Sequence, residues 1–221
     1  MNSSRKEHKT VSLDIHKDLF GANEDAAALN KKKFKELEIT VIDIMGSVGT
    51  GKTQLIEALC ERIRKKHRIL MVAGDLATTI DADRVGSHEI DTIQINTGTA
   101  CHLDARMIRV ALDDIDLSKY DVIFIENVGN LICPAGYPLG ADKKIVVVSV
   151  TEGPYMVRKH PLTIKMADLV VINKIDLAEV LDFDIDALFR DIREVDADLP
   201  VFKVSSKTGS GIDELLIGLG L

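Results

Sequence analysis

Eight consecutive residues, Gly46, Ser47, Val48, Gly49, Thr50, Gly51, Lys52 and Thr53, have the G-x-x-x-x-G-K-[ST] spacing of a loop that wraps a triphosphate. Glycine lets the backbone approach closely enough for its N–H groups to converge on phosphate oxygens. Lys52 reaches the terminal phosphates, where it is a candidate catalytic group, and the Thr53 hydroxyl is a ligand for magnesium. The apolar run Ile39–Met45 comes directly before the loop, and a helical pattern over about Gln54–Lys66 follows it. That helix points its positive dipole end at the same anion.

A second set closes the apolar run Leu169–Ile172: Asn173, Lys174, Ile175 and Asp176. It looks like the guanine-specificity motif of GTPases. A carboxylate at Asp176 accepts from the guanine N1–H and exocyclic amine, a donor pair that adenine lacks, while Asn173 and Lys174 buttress the ring. Ser205, Ser206 and Lys207 follow the next apolar strand and resemble the Ser-Ala-Lys loop that GTPases place over the base, with Ser206 in the alanine position. Three motifs in this order favour GTP over ATP.

Between them, Asp75 ends one apolar run and Glu126 another. Asp75 opens the polar stretch Asp75–Arg84, which has no apolar periodicity and suits a switch loop that orders around magnesium. Gly129 follows Glu126 with the spacing of the Asp-x-x-Gly switch, glutamate replacing aspartate. Thr53, Asp75 and Glu126 are the magnesium candidates, directly or through water, and Asp75 or Asp81 is the candidate for orienting the attacking water. Cys101 and His102 follow one strand-like run and Cys133 another. Two sulfurs and an imidazole nitrogen suit zinc or nickel, with remaining ligands from water, another side chain or a second copy of the chain. The bland alternative is a pair of buried thiols and a helix-capping imidazole. Cys60, among Ile56, Leu59 and Ile63, reads as core. His8 and His16 lie in a polar arm, and His67, His88 and His160 have no partner that the sequence identifies.

The elements that must position these groups alternate strand and helix after residue 38. The strand-like runs are Ile39–Met45, Ile69–Gly74, Thr92–Asn96, Asp121–Glu126, Lys144–Val150, Leu169–Asn173 and Val201–Ser205. This alternation predicts an α/β fold, a single P-loop NTPase domain with a mostly parallel central sheet flanked by helices on both faces. Residues 1–22 read as a mobile polar arm, and residues 23–221 as the domain, opening on a helix capped at Asn23. The 221 residues, 46% hydrophobic, are enough for one well-buried core. A net charge of -7 gives nucleic acid no general attraction. Without a long apolar stretch or a signal-like N-terminus, a cytoplasmic protein with no membrane partner is expected. Three cysteines then suggest thiols or metal ligands and not a disulfide framework.

With these residues in place, the chain from about residue 23 onward resembles the hydrogenase maturation GTPases of the HypB family, which assist nickel insertion. The resemblance rests on Ile125–Pro134, which includes Glu126, Gly129 and Cys133, and on Cys101-His102-Leu103-Asp104-Ala105, beside the phosphate loop and Asn173–Asp176. It implies that Cys101, His102 and Cys133 bind nickel or zinc. It also implies slow GTP hydrolysis with magnesium, a GTP-promoted homodimer, and partners comprising a maturation protein and a hydrogenase precursor. The N-terminal cysteine motif and histidine-rich tract of some members are missing here. The urease nickel-accessory GTPases are similar in nucleotide motifs but carry Cys-Pro-His where this chain has Cys133, Pro134 and Ala135. A regulatory GTP switch with structural cysteines is the alternative from a different class.

Overall fold

The computed structural model describes residues 15–75 and 90–221, with side chains from residue 21 onward. The β-branched, apolar runs form β1 (Thr40–Met45), β2 (Ile69–Asp75), β3 (Asp91–Asn96), β4 (Val122–Glu126), β5 (Lys143–Ser149), β6 (Leu169–Asn173) and β7 (Val201–Lys203). They build one sheet in the order β3-β2-β4-β1-β5-β6-β7, and every pairing is parallel. Parallel neighbours need crossovers, and these supply α2 (Lys52–Ile63), α3 (Ala105–Ala111), α4 (Met156–Lys159), α5 (Pro161–Lys165) and α6 (Ile185–Val195), while α1 (Ile15–Glu36) precedes β1 and α7 (Ile212–Leu219) follows β7.

Alternation along the central strands decides which side chains meet which layer. Ile42 and Ile44 of β1, Phe124 of β4 and Val147 of β5 face Leu55, Leu59 and Cys60 of α2 and Leu215 of α7. The opposite face carries two separate clusters. Val41, Leu70 and Ile123 pack with Phe34 of α1 and Ile108 of α3, while Met45, Val146 and Ile172 pack with Leu188 and Ile192 of α6. Asp43 lies on this face of β1, in register with Ile125 and Lys144, between positions that belong to different clusters. The seam between the clusters is polar.

Three expected boundaries shift, each for a local reason. Helix α1 begins at Ile15, inside the segment read as a polar arm. Residues 15–36 contain no proline and one glycine, so nothing in the sequence breaks the helix before Asn23. Asn23 is therefore not a cap; its side chain accepts from the Ala105 N–H and donates to the Pro138 carbonyl. Helix α2 starts at Lys52, inside the phosphate loop, immediately after Gly51 in the left-handed region. Strand β7 ends at Lys203, because Ser205 turns back to pair with Ser210. His8, Asp81, Asp83 and His88 lie outside the described residues.

Candidate functional site

Because all the strands run one way, the segments that follow β1, β2, β3, β4, β6 and β7 gather at a single edge of the sheet. A cavity of about 410 Å³ lies there. Phosphate-loop residues from Val48 to Gln54 line it with Gly74 and Asp75 after β2, Glu126, Asn127 and Gly129 after β4, and Lys174 after β6. Gly51 has φ of 90°, and a Cβ there would stand 2.7 Å from the Asn173 amide nitrogen. A side chain at this position is excluded both by conformation and by space. Lys52 is buried and donates to the Ser47 carbonyl across the loop, as does the Thr50 hydroxyl.

Thr53 donates its hydroxyl proton to Glu126 Oε1 at 2.8 Å. With Asp75 on the same wall, the three predicted magnesium ligands converge as an all-oxygen set, which is the donor chemistry that ion takes. At the neighbouring strand ends, Asn173 donates to the Thr50 carbonyl and accepts from Lys174 N, Ser206 N and Ser206 Oγ. Lys174 reaches the Gly49 carbonyl. Asp176 accepts from the Ser205 hydroxyl at 2.6 Å. The predicted base motif and the phosphate loop are thus one hydrogen-bonded unit, although Asp176, Ser205 and Ser206 do not line the 410 Å³ cavity itself. Lys207 is exposed at the same turn.

The cysteine and histidine positions also converge. Cys133 is close enough to Cys101 to push the Cys101 thiol above its ordinary value. The Cys101 sulfur lies 3.7 Å from His102 Nδ1. Two ligands of one tetrahedral ion, a thiolate at about 2.3 Å and an imidazole at about 2.05 Å, stand about 3.6 Å apart, so this spacing fits a shared metal. Burial lowers the His102 pKa against the opposing charge of Asp104, which favours the neutral ring. His102 stacks on Tyr137, with centroids 3.9 Å apart. Among the described residues, no group of three or more potential ligands is already closed around a metal position. Cys101 is the member of the trio that neighbours both of the others. Cys60, by contrast, is fully buried in the core, and burial pushes its thiol up to about 12.

Two asparagines of α1 tie the Cys101 loop to the segment after Cys133, a role that no local motif signals. Asn30 donates to the carbonyls of Ala105 and Leu139 at 2.8 and 3.0 Å. Asn23 bridges Ala105 and Pro138 in the same way. Ala105 closely follows His102, and Pro138 follows Tyr137, so α1 sets the distance between the halves. Gly140 accommodates that approach: a Cβ there would meet the Ala27 carbonyl at 2.5 Å.

Asp43 was also missed, although a charged residue inside an apolar strand is a visible signal. It is fully buried, and its Oδ2 has no hydrogen-bond partner among the described residues. Burial pushes its carboxyl up to about 6, against the opposing charge of Lys144 and a hydrogen bond from Asn127. Its folded pKa exceeds the unfolded value near 3.8, so folding favours the protonated form. The contribution of this group to stability is fully present below the unfolded pKa and is lost as pH rises through about 6. Asp43→Asn is therefore expected to exceed the parent in stability by about 1–3 kcal/mol at about pH 7.5 and to show little advantage at about pH 4. Urea unfolding at both pH values checks this.

The family model for the CobW/HypB/UreG nucleotide-binding domain matches residues 40–203, the stretch that carries the phosphate loop, Asp75, Cys101, His102, Glu126, Cys133 and Asn173–Asp176. The chain belongs to this family. Within it, the chain is similar to the hydrogenase maturation factors HypB. It is 44% identical over 209 residues to the probable hydrogenase maturation factor HypB of Methanocaldococcus jannaschii, covering 95% of each chain. The structure of HypB from Archaeoglobus fulgidus matches at 39% identity with a TM-score of 0.84, covering 90% of this chain and 98% of that one. HypB from Helicobacter pylori in complex with nickel matches at 38% identity and a TM-score of 0.85, covering 90% and 93%. The fold is accordingly that of a P-loop NTPase, and no described helix is long and apolar enough to cross a membrane.

Proposed function

We propose that the chain is a GTP-hydrolysing nickel carrier that serves hydrogenase maturation in the cytoplasm, with a homodimeric GTP-bound state and slow turnover. The observation that carries this reading is that both metal-bearing loops hang on elements of the phosphate cavity. Asn130 pairs through its backbone with Gly46 of the phosphate loop. Its side chain accepts from the Ile132 and Cys133 N–H groups. Thr97, at the start of the Cys101 loop, donates its N–H to the carbonyl of Asp75 at 2.9 Å, while its hydroxyl lies 2.8 Å from the Ala100 carbonyl and 3.3 Å from that of Asp75.

In this reading Lys52 and the loop amides hold the phosphates of GTP, while Asn173, Lys174, Asp176, Ser205, Ser206 and Lys207 surround the guanine. Thr53, Glu126 and Asp75 would hold magnesium, which supplies positive charge to the phosphates when bound. Cys101, His102 and Cys133 take nickel as cargo, with zinc as the competing ion. Loss of the γ-phosphate releases contacts to Asp75 and to the segment after Glu126, and the metal loops bonded to those residues change with them. A maturation protein and a hydrogenase precursor are the proposed receivers. The urease-accessory alternative is disfavoured because this chain has Ala135 after Cys133-Pro134, where those proteins carry a histidine.

Metal content and oligomeric state measured together, with GDP and then with a non-hydrolysable GTP analogue, test the proposal. A dimer in the analogue state with altered nickel loading is expected. An analogue-bound chain that remains monomeric at high concentration and binds nickel as it does with GDP points instead to a switch with structural cysteines.

A further inference from the structure

Asn127 lines the phosphate cavity, follows the predicted magnesium ligand Glu126, and is buried to 1% exposure. Both polar atoms of its amide are engaged. Oδ1 accepts from Leu103 N at 3.0 Å and from its neighbour Val128 N at 3.1 Å, and Nδ2 donates to Asp43 Oδ1 at 3.2 Å. Leu103 comes directly after Cys101 and His102. Its side chain fills the space above Gly74, where a Cβ would come within 2.6 Å of it.

The loop that carries Cys101 and His102 is therefore pinned at both ends to cavity-lining residues. At its start Thr97 is bonded to the Asp75 carbonyl. At its end Leu103 is held by Asn127 and wedged on Gly74. We propose that Asn127 is the positioning residue through which the nucleotide state reaches the Cys101–His102 half of the metal site. Movement of the segment after Glu126 swings the Asn127 carbonyl between two backbone amides, one in its own segment and one in the metal loop.

Asp43 accounts for why the pin has one orientation. A deprotonated carboxylate only accepts, so it faces the Asn127 NH₂ group and turns the Asn127 oxygen toward Leu103. An amide at position 43 would present both a donor and an acceptor and leave that choice open. A buried carboxylate that weakens the fold at neutral pH, kept where an isosteric amide would relieve the cost, has the character of a functional residue. The route through Asn130 and Gly46 serves Cys133 and is separate.

This inference rests on the metal-carrier reading above, and its test keeps the failures of the two apart. Nickel affinity of the full chain is measured by chelator competition with GDP and with a non-hydrolysable GTP analogue, for the parent and for Asn127→Ala. The parent is expected to show a ratio of about 5- to 150-fold between the two states, and the affinity of the GTP analogue must change with nickel by the same factor. Asn127→Ala is expected to bring the ratio to within about twofold of unity. A variant that keeps the parental ratio, even with both affinities weakened equally, overturns the role of Asn127 and leaves the carrier reading intact. A parental ratio of one overturns both.

Residue-resolved amide exchange on the parent protein needs no variant and guards against a substitution that fails to fold. Protection of the Leu103 and Val128 amides is expected to change between the GDP and analogue states. Unchanged protection at Leu103, alongside a nickel affinity that does change, overturns the proposal.

Discussion

A chain with alanine at Cys133 is expected to bind nickel more than about 100-fold more weakly than the parent, and Cys101→Ala the same, since loss of a residue that merely supports a ligand already costs about 10- to 100-fold. Cys101 is the contact shared by His102 and Cys133, so its removal separates the other two. Both cysteines are free and partly exposed, and neither fills a core position whose loss would open a cavity. Folding stability is accordingly expected to change little, in contrast to Cys60, which packs among Leu55, Leu59 and Ile63. Equilibrium titration with nickel and with zinc, paired with urea unfolding of the same variants, is the measurement. Unaltered affinity for both metals in both nucleotide states removes the cysteines from the carrier mechanism.

Asp176→Asn is expected to lower GTP affinity by about 10- to 100-fold, because a charge-assisted hydrogen bond contributes about 1.5–3 kcal/mol and a tenfold change corresponds to about 1.4 kcal/mol. The same change is expected to favour xanthosine triphosphate, whose base carries a carbonyl where guanine carries an amine. The Ser205 hydroxyl that donates to Asp176 can donate equally to an asparagine oxygen, so the turn itself should persist. Fluorescence competition between the two nucleotides reads the switch in preference. Unchanged selectivity for GTP would remove Asp176 from the base site.

The two variants report on opposite ends of one connected structure. Asp176 lies at the end of β6, beside Ser205, and Asn173 next to it is bonded to the phosphate loop. From that loop Gly46 pairs with Asn130, which caps the Cys133 turn. In the proposed carrier no long-range conduit is needed between nucleotide and metal, since the Cys101 and Cys133 loops and the walls of the cavity are hydrogen-bonded neighbours. A small displacement in one is felt directly by the other.

The residues proposed to meet a ligand were legible in the sequence because their chemistry sets their spacing. Gly46–Thr53, Asn173–Asp176 and Glu126 with Gly129 are local motifs, and one strand end is enough to present each of them. The alternation of strand and helix foretold the parallel sheet for a similar reason: hydrophobic periodicity is a local property of the chain. Helix α1 was misplaced because helical propensity continues upstream of Asn23, and that asparagine is consumed by a tertiary contact with Ala105 and Pro138 that no local rule anticipates. Asn127 read as a spacer between Glu126 and Gly129, and Asn30 as one polar residue of a helix. Their partners are 24, 75 and 109 residues away in sequence. The amino-acid order by itself determined which groups this chain offers to a phosphate, a guanine and a soft metal ion. Only the tertiary structure decided that those groups share supports, because strand order brings the ends of β1, β2 and β4 side by side, and a hydrogen bond forms by proximity in space regardless of separation along the chain.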